Sequence, residues 1–229
     1  MTKDEKIAKL GKEITDRASV LLGKDKITPE SPEYLGINSA LKYTAYKYDQ
    51  KMADDILDIC LTMKKRVPLT IEQLAKKNPQ FDREYLEKAM QAVSESGLVE
   101  FHWENLDGKN PNHEKRWVLD MFVPGSAEIM MINPEQSDMY PETADFFERM
   151  AYLPLAGITE MVPPGGAGIG MHVIPVEKAI PAESKSLPIE HLSHWLKKYE
   201  GHIGVSVCSC RKQQRIRGEG SGDVEGEWC

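Results

Sequence analysis

Pro68-Leu69-Thr70-Ile71-Glu72-Gln73-Leu74-Ala75-Lys76-Lys77-Asn78-Pro79-Gln80-Phe81-Asp82 decides how this chain folds. Thr70 followed three residues later by Gln73 is a capping box, so a short helix starts at Ile71. Asn78-Pro79 turns the chain, and Asp82 can cap a second helix with Leu86, Ala89, Met90 and Val93 facing inward. Gly97 stands where a left-handed C′ residue ends that helix. Leu98-Val99-Glu100-Phe101-His102-Trp103 then reads as a strand, and residues 116–122 read as its return. Between them lies a polar turn containing Asp107-Gly108. Upstream, a helical pattern over about 37–64 places Met52, Ile56, Ile59, Cys60 and Met63 on one face. Three helices and a two-stranded ribbon predict a winged helix-turn-helix over 37–123.

Residues 3–23 precede it as an amphipathic helix with Ile7, Leu10, Ile14, Ala18 and Leu21 on its stripe. A Pro- and charge-rich linker over 24–35 completes an N-terminal arm of 1–36. Pro124-Gly125 breaks the chain after the wing, leaving 124–229 as a smaller α+β segment. There, short helices are expected at 126–132 and from Pro141, the latter with Phe146, Phe147, Met150 and Ala151 as apolar neighbours. A strand over 171–176, a helix from Pro188 and a strand over 202–207 follow. The fold class predicted is α+β.

The chemistry concentrates at the far end. The alternating run Gly204-Val205-Ser206-Val207 leads into Cys208-Ser209-Cys210-Arg211, and the sequence closes on Cys229. On a strand, residues two apart share a face, roughly 7 Å apart at about 3.3 Å per residue. Cys208 and Cys210 would thus be poorly placed to bond to each other and well placed to grip a metal group between them. An iron–sulfur cluster is the expected occupant, with Lys212, Arg215 and Arg217 offsetting its anionic charge. No Cys-x-x-Cys pair of a zinc ribbon is present, nor a bacterial ferredoxin run. Inert thiols and redox or disulfide chemistry remain the alternatives at these cysteines. Cys60, alone on a helical stripe, reads as a core thiol.

Other motifs carry less. The Gly-rich loop 163–170 lacks a dinucleotide or P-loop pattern. His172 alternates with apolar residues, and His191 and His194 lack a metalloprotease frame. The helix from Asp82 sets Asp82, Glu84, Glu87 and Glu95 against Arg83 and Lys88, which opposes insertion into DNA. The net charge of −7 argues the same way. Neither a signal peptide nor an apolar run of about 18 residues occurs, so no membrane partner is expected and a cytosolic location is.

With these residues in place, the chain resembles a group of prokaryotic, mostly anaerobic, 4Fe-4S ferredoxin-type proteins with an N-terminal winged helix. The resemblance rests on 69–122, on 165–181 with His172-Val173-Ile174-Pro175-Val176, and on 207–229 with Cys-x-Cys-Arg and Gly218-Glu219-Gly220. It implies electron transfer, with Cys208, Cys210 and Cys229 as iron ligands and Arg211 beside the cluster. It also implies a partner or fused flavin-dependent pyridine-nucleotide oxidoreductase. Flavin or NAD(P)H would bind only there, since no dinucleotide fingerprint occurs in this chain. The winged helix would dock a partner or form a homodimer. Members often carry a further cysteine where this chain has Ser221, so a fourth ligand would come from beyond Cys229, from another group or from a partner. The sequence is accordingly expected to be part of a longer polypeptide. A redox- or metal-sensing transcription regulator, and a structural module with incidental cysteines, are the rival readings.

Overall fold

The computed structural model describes residues 1–15, 26–103, 115–119, 125–149, 192–201 and 207–219. They are mostly helical, with one two-stranded antiparallel sheet, an α+β arrangement. Residues 192–201 fall in a compact unit of their own, and all the other described residues share a second one.

Helix α1 (Lys3–Thr15) buries Ile7, Leu10, Gly11 and Ile14, the stripe its spacing predicts. Tyr34 Oη donates to Asp4 Oδ1 at 2.6 Å and ties this helix to the next.

The single helix expected over 37–64 is two helices. Helix α2 (Pro32–Lys47) opens inside the expected linker, because Pro32 at the first turn suits a fixed φ and a missing N–H. Asp49 then breaks the run. It is extended (φ −165°, ψ 166°), and its carboxylate accepts from Met52 N at 2.7 Å, capping α3 (Gln50–Cys60). The stripe Met52, Ile56, Ile59, Cys60 and Met63 is buried as expected.

Helix α4 (Ile71–Lys77) begins with the full capping box. Gln73 N donates to Thr70 Oγ1 at 3.3 Å, and Thr70 N donates to Gln73 Oε1 at 2.9 Å. Helix α5 (Arg83–Glu95) is capped by Asp82, which accepts from Tyr85 N at 2.7 Å. Gly97 follows with φ +85°, and a side chain there would also meet Met130 at 3.0 Å.

Strands β1 (Val99–Trp103) and β2 (Lys115–Leu119) pair antiparallel, with Val99 opposite Leu119 and Phe101 opposite Trp117. The stretch entering α4 joins them: Arg66 N donates to Leu119 O at 3.0 Å, and Leu69 and Trp117 exchange two bonds.

Helices α6 (Ala127–Ile132), α7 (Pro134–Met139) and α8 (Thr143–Phe147) come next. Helix α7 has no counterpart among the expected elements; Asn133 caps it, accepting from Gln136 N at 3.2 Å. Ala127, Met130, Met131, Ala144, Phe146 and Phe147 belong to the same hydrophobic cluster as Ile7, Ile56 and Leu86. One core therefore runs from the N-terminal arm, through the helices and ribbon, to α8. Helix α9 (Leu192–Lys198) lies in the other unit. Helix α10 (Ser209–Ile216) packs against α6 and α8.

The strand expected to carry the two cysteines is corrected by α10. Cys208, at φ −70° and ψ 121°, is the residue before the first turn, and Cys210 lies inside that turn. The alternation of apolar residues ends at Val207, and the following Arg, Lys and Gln residues are strong helix formers.

Candidate functional site

Two cysteines open α10, and the body of the protein dictates how that helix sits. Cys210, Gln213 and Ile216 recur every three residues, so they share a face. Cys210 and Ile216 pack against the hydrophobic core. Gln213 is wholly buried, and its Nε2 donates to Glu148 Oε2 at 2.7 Å. Its own carbonyl oxygen accepts from Gln214 Nε2 at 2.8 Å. Around this face, Lys212 Nζ pairs with Asp138 at 2.5 Å and Arg217 Nη1 with Asp145 at 2.7 Å. A basic helix is thus seated on acidic residues of α7, of α8 and of the C-cap of α8.

Cys208 and Cys210 are both half-buried. Cys208 O accepts from Lys212 N at 2.9 Å, the first helical bond of α10. The start of a helix carries positive partial charge, which favours an anion there. Arg211, also half-buried, adds a full positive charge one residue on. Soft thiols beside cationic groups are the donor set that suits a thiolate-held iron–sulfur cluster. Of the described cysteines, Cys208 and Cys210 are the pair that could supply two thiolate ligands. Among the described residues, no group of three or more His, Cys, Asp or Glu is arranged to hold a metal ion.

Cys229 lies outside the described residues, as do the Gly-rich loop 163–170, His172 and His191; His194 falls on α9. No disulfide joins Cys60, Cys208 and Cys210. Cys60 is fully buried, and burial alone pushes its thiol up to about 12, the inert core thiol expected.

A second feature was missed in the sequence. Lys115 Nζ sits 3.8 Å from the centre of the Phe101 ring and 4.2 Å from that of Trp117, and it donates to Gln91 Oε1 at 3.2 Å. Burial lowers its pKa, and the carboxylate of Glu87 works against that. Phe101 and Trp117 stack edge to face at 5.5 Å. Lys115, Trp117 and Gln91 border a groove of about 490 Å³ whose other walls include Ile71, Glu72, Arg83 and Glu87. The signal was available: Lys115 and Trp117 are two apart on one strand and so share a face. Arg83 is held by Glu72 at 3.0 Å and Glu87 at 3.1 Å, which offsets the one arginine of α5.

No described helix is long and apolar enough to cross a membrane. No family model matches the chain, and neither a curated protein nor a solved structure matches it.

Proposed function

We propose that this chain is the iron–sulfur electron-transfer part of a cytosolic ferredoxin-type or NAD(P)H-linked flavin oxidoreductase. The observation that carries the reading is the contrast among its cysteines. Cys60 is sealed in the core, whereas Cys208 and Cys210 open a basic helix at half exposure. Cys208, Cys210 and Cys229 ligate the iron, and the positive charge of Arg211 offsets the negative charge of the thiolates. A 4Fe-4S cluster held there supplies one-electron transfer; flavin and nicotinamide bind in a further domain or partner. Residues 37–123 act as a winged helix that docks the electron-transfer partner or a second copy of the chain. The pairing of Arg83 with two carboxylates supports protein docking over DNA contact, because phosphate would have to compete for that guanidinium.

The test is anaerobic purification of the full-length protein, followed by iron and sulfide assays and EPR of the reduced sample. The reading expects both elements in the wild type, and their loss in C208S, C210S and C229S but not in C60A. A wild type without iron and sulfide overturns it. Salt-sensitive binding to a specific DNA fragment would favour a sensing regulator instead.

A further inference from the structure

We propose that the Gln213–Glu148 pair is the positioning device that aims the cysteine pair. Gln213 is 0% exposed, yet it carries an amide whose burial is costly unless its donors and acceptor are matched. Its Nε2 meets Glu148 Oε2 at 2.7 Å, and its Oε1 meets Gln214 Nε2 at 2.8 Å. The neighbouring inward contact of Ile216 is apolar and would tolerate rotation of α10. A one-residue slip turns a helix by about 100°, which would leave the amide without its carboxylate. The polar pair therefore selects a single rotation, and that rotation sets where Cys210 points and where Cys208 enters. Lys212–Asp138 and Arg217–Asp145 hold the same helix from its more exposed sides, where charge pairs tolerate several side-chain geometries. Glu148 and Gln213 touch no iron in this scheme; they act through α10. The role in aiming ligands rests on the iron–sulfur reading, while the role in fixing the helix does not.

The experiment follows iodoacetamide labelling of each cysteine by peptide mass spectrometry in the reduced, iron-free full chain. Iron content and reduction potential are measured in parallel on the anaerobic holoprotein. Glu148→Ala should speed labelling of Cys210 on the order of tenfold, the factor a lost charge-assisted hydrogen bond carries in a local opening equilibrium. Cys60 should keep its rate, since the core is untouched. Glu148→Gln keeps an acceptor oxygen and should restore both the labelling rate and the potential. Gln213→Leu, which fills the same space without the amide, should behave as Glu148→Ala and guards against a variant that merely fails to fold. An unchanged Cys210 rate in both variants overturns the proposal. So does an equal rise at Cys60, which would make the pair a general stabiliser. A wild type that binds no iron removes the electron-transfer reading, and the labelling still decides whether the pair fixes α10.

Discussion

Leu69 and Trp117 exchange both of their backbone hydrogen bonds, each 2.9 Å long, so the segment entering α4 is laced to the returning strand β2. The indole of Trp117 is 3% exposed and lies beneath Phe101 and Lys115. It thus fastens the ribbon to the helices. Replacing Trp117 with alanine should cost about 3–5 kcal/mol, the range for deleting a large buried aromatic. Urea denaturation followed by circular dichroism measures this, and a loss well under that range would mean the ribbon contributes little to the core.

The caps of α4 and α5 should act independently. Thr70→Ala removes one acceptor and Asp82→Ala another, each worth about 1 kcal/mol. The two sites cap different helices and share no hydrogen-bond partner, so the double variant should lose close to the sum. A strongly non-additive result in chemical denaturation would show that the two helices form as one unit through their caps.

These caps were legible because their chemistry is local. Thr70 and Gln73, Asp82 and Gly97 each act within four residues of chain. The break at Asp49 was hidden because the apolar stripe of α3 continues the periodicity of α2 across it. Helix α7 is six residues long and carries no full apolar stripe, so its only signal was Asn133 before Pro134. The cysteine pair was read as part of a strand because the alternating run Gly204-Val205-Ser206-Val207 outweighed the helix formers after it. Gln213 could not have been found by pattern: its burial depends on Glu148, which is 65 residues away in the chain. The spacing of Lys115 and Trp117 already put them on one face, but only the strand register set Phe101 across from Trp117 and completed the group.

Gly36 marks where α2 and α8 meet. A Cβ on Gly36 would fall 2.2 Å from Phe146 Cγ and 2.7 Å from Phe146 Cβ, so the ring cannot simply swing away. Gly36→Ala should destabilise the protein by about 1–3 kcal/mol through overpacking. Adding Phe146→Leu should recover part of that loss, giving a coupling energy of about 0.5–3 kcal/mol in a double-mutant cycle. Simple additivity would mean that the two helices separate without cost.

Alkaline pH should unfold this protein by a route that begins in its core. Burial raises the Cys60 thiol from its ordinary 9.0 to about 12. Burial, then the hydrogen bond to Asp4, raises the Tyr34 phenol from 10.0 to about 12. Both groups keep their protons longer in the folded state than in the unfolded one. Their contribution is complete below the unfolded values and is lost as pH climbs through this window, because the unfolded chain then binds fewer protons. The urea midpoint should therefore fall steadily from about pH 9 toward pH 12. Cys60→Ala lowers the midpoint at every pH by removing volume, but it should make the alkaline decline shallower. Tyr34→Phe should do the same over the part of the window above 10.0. Parallel declines in the wild type and both variants would mean that other groups govern alkaline unfolding.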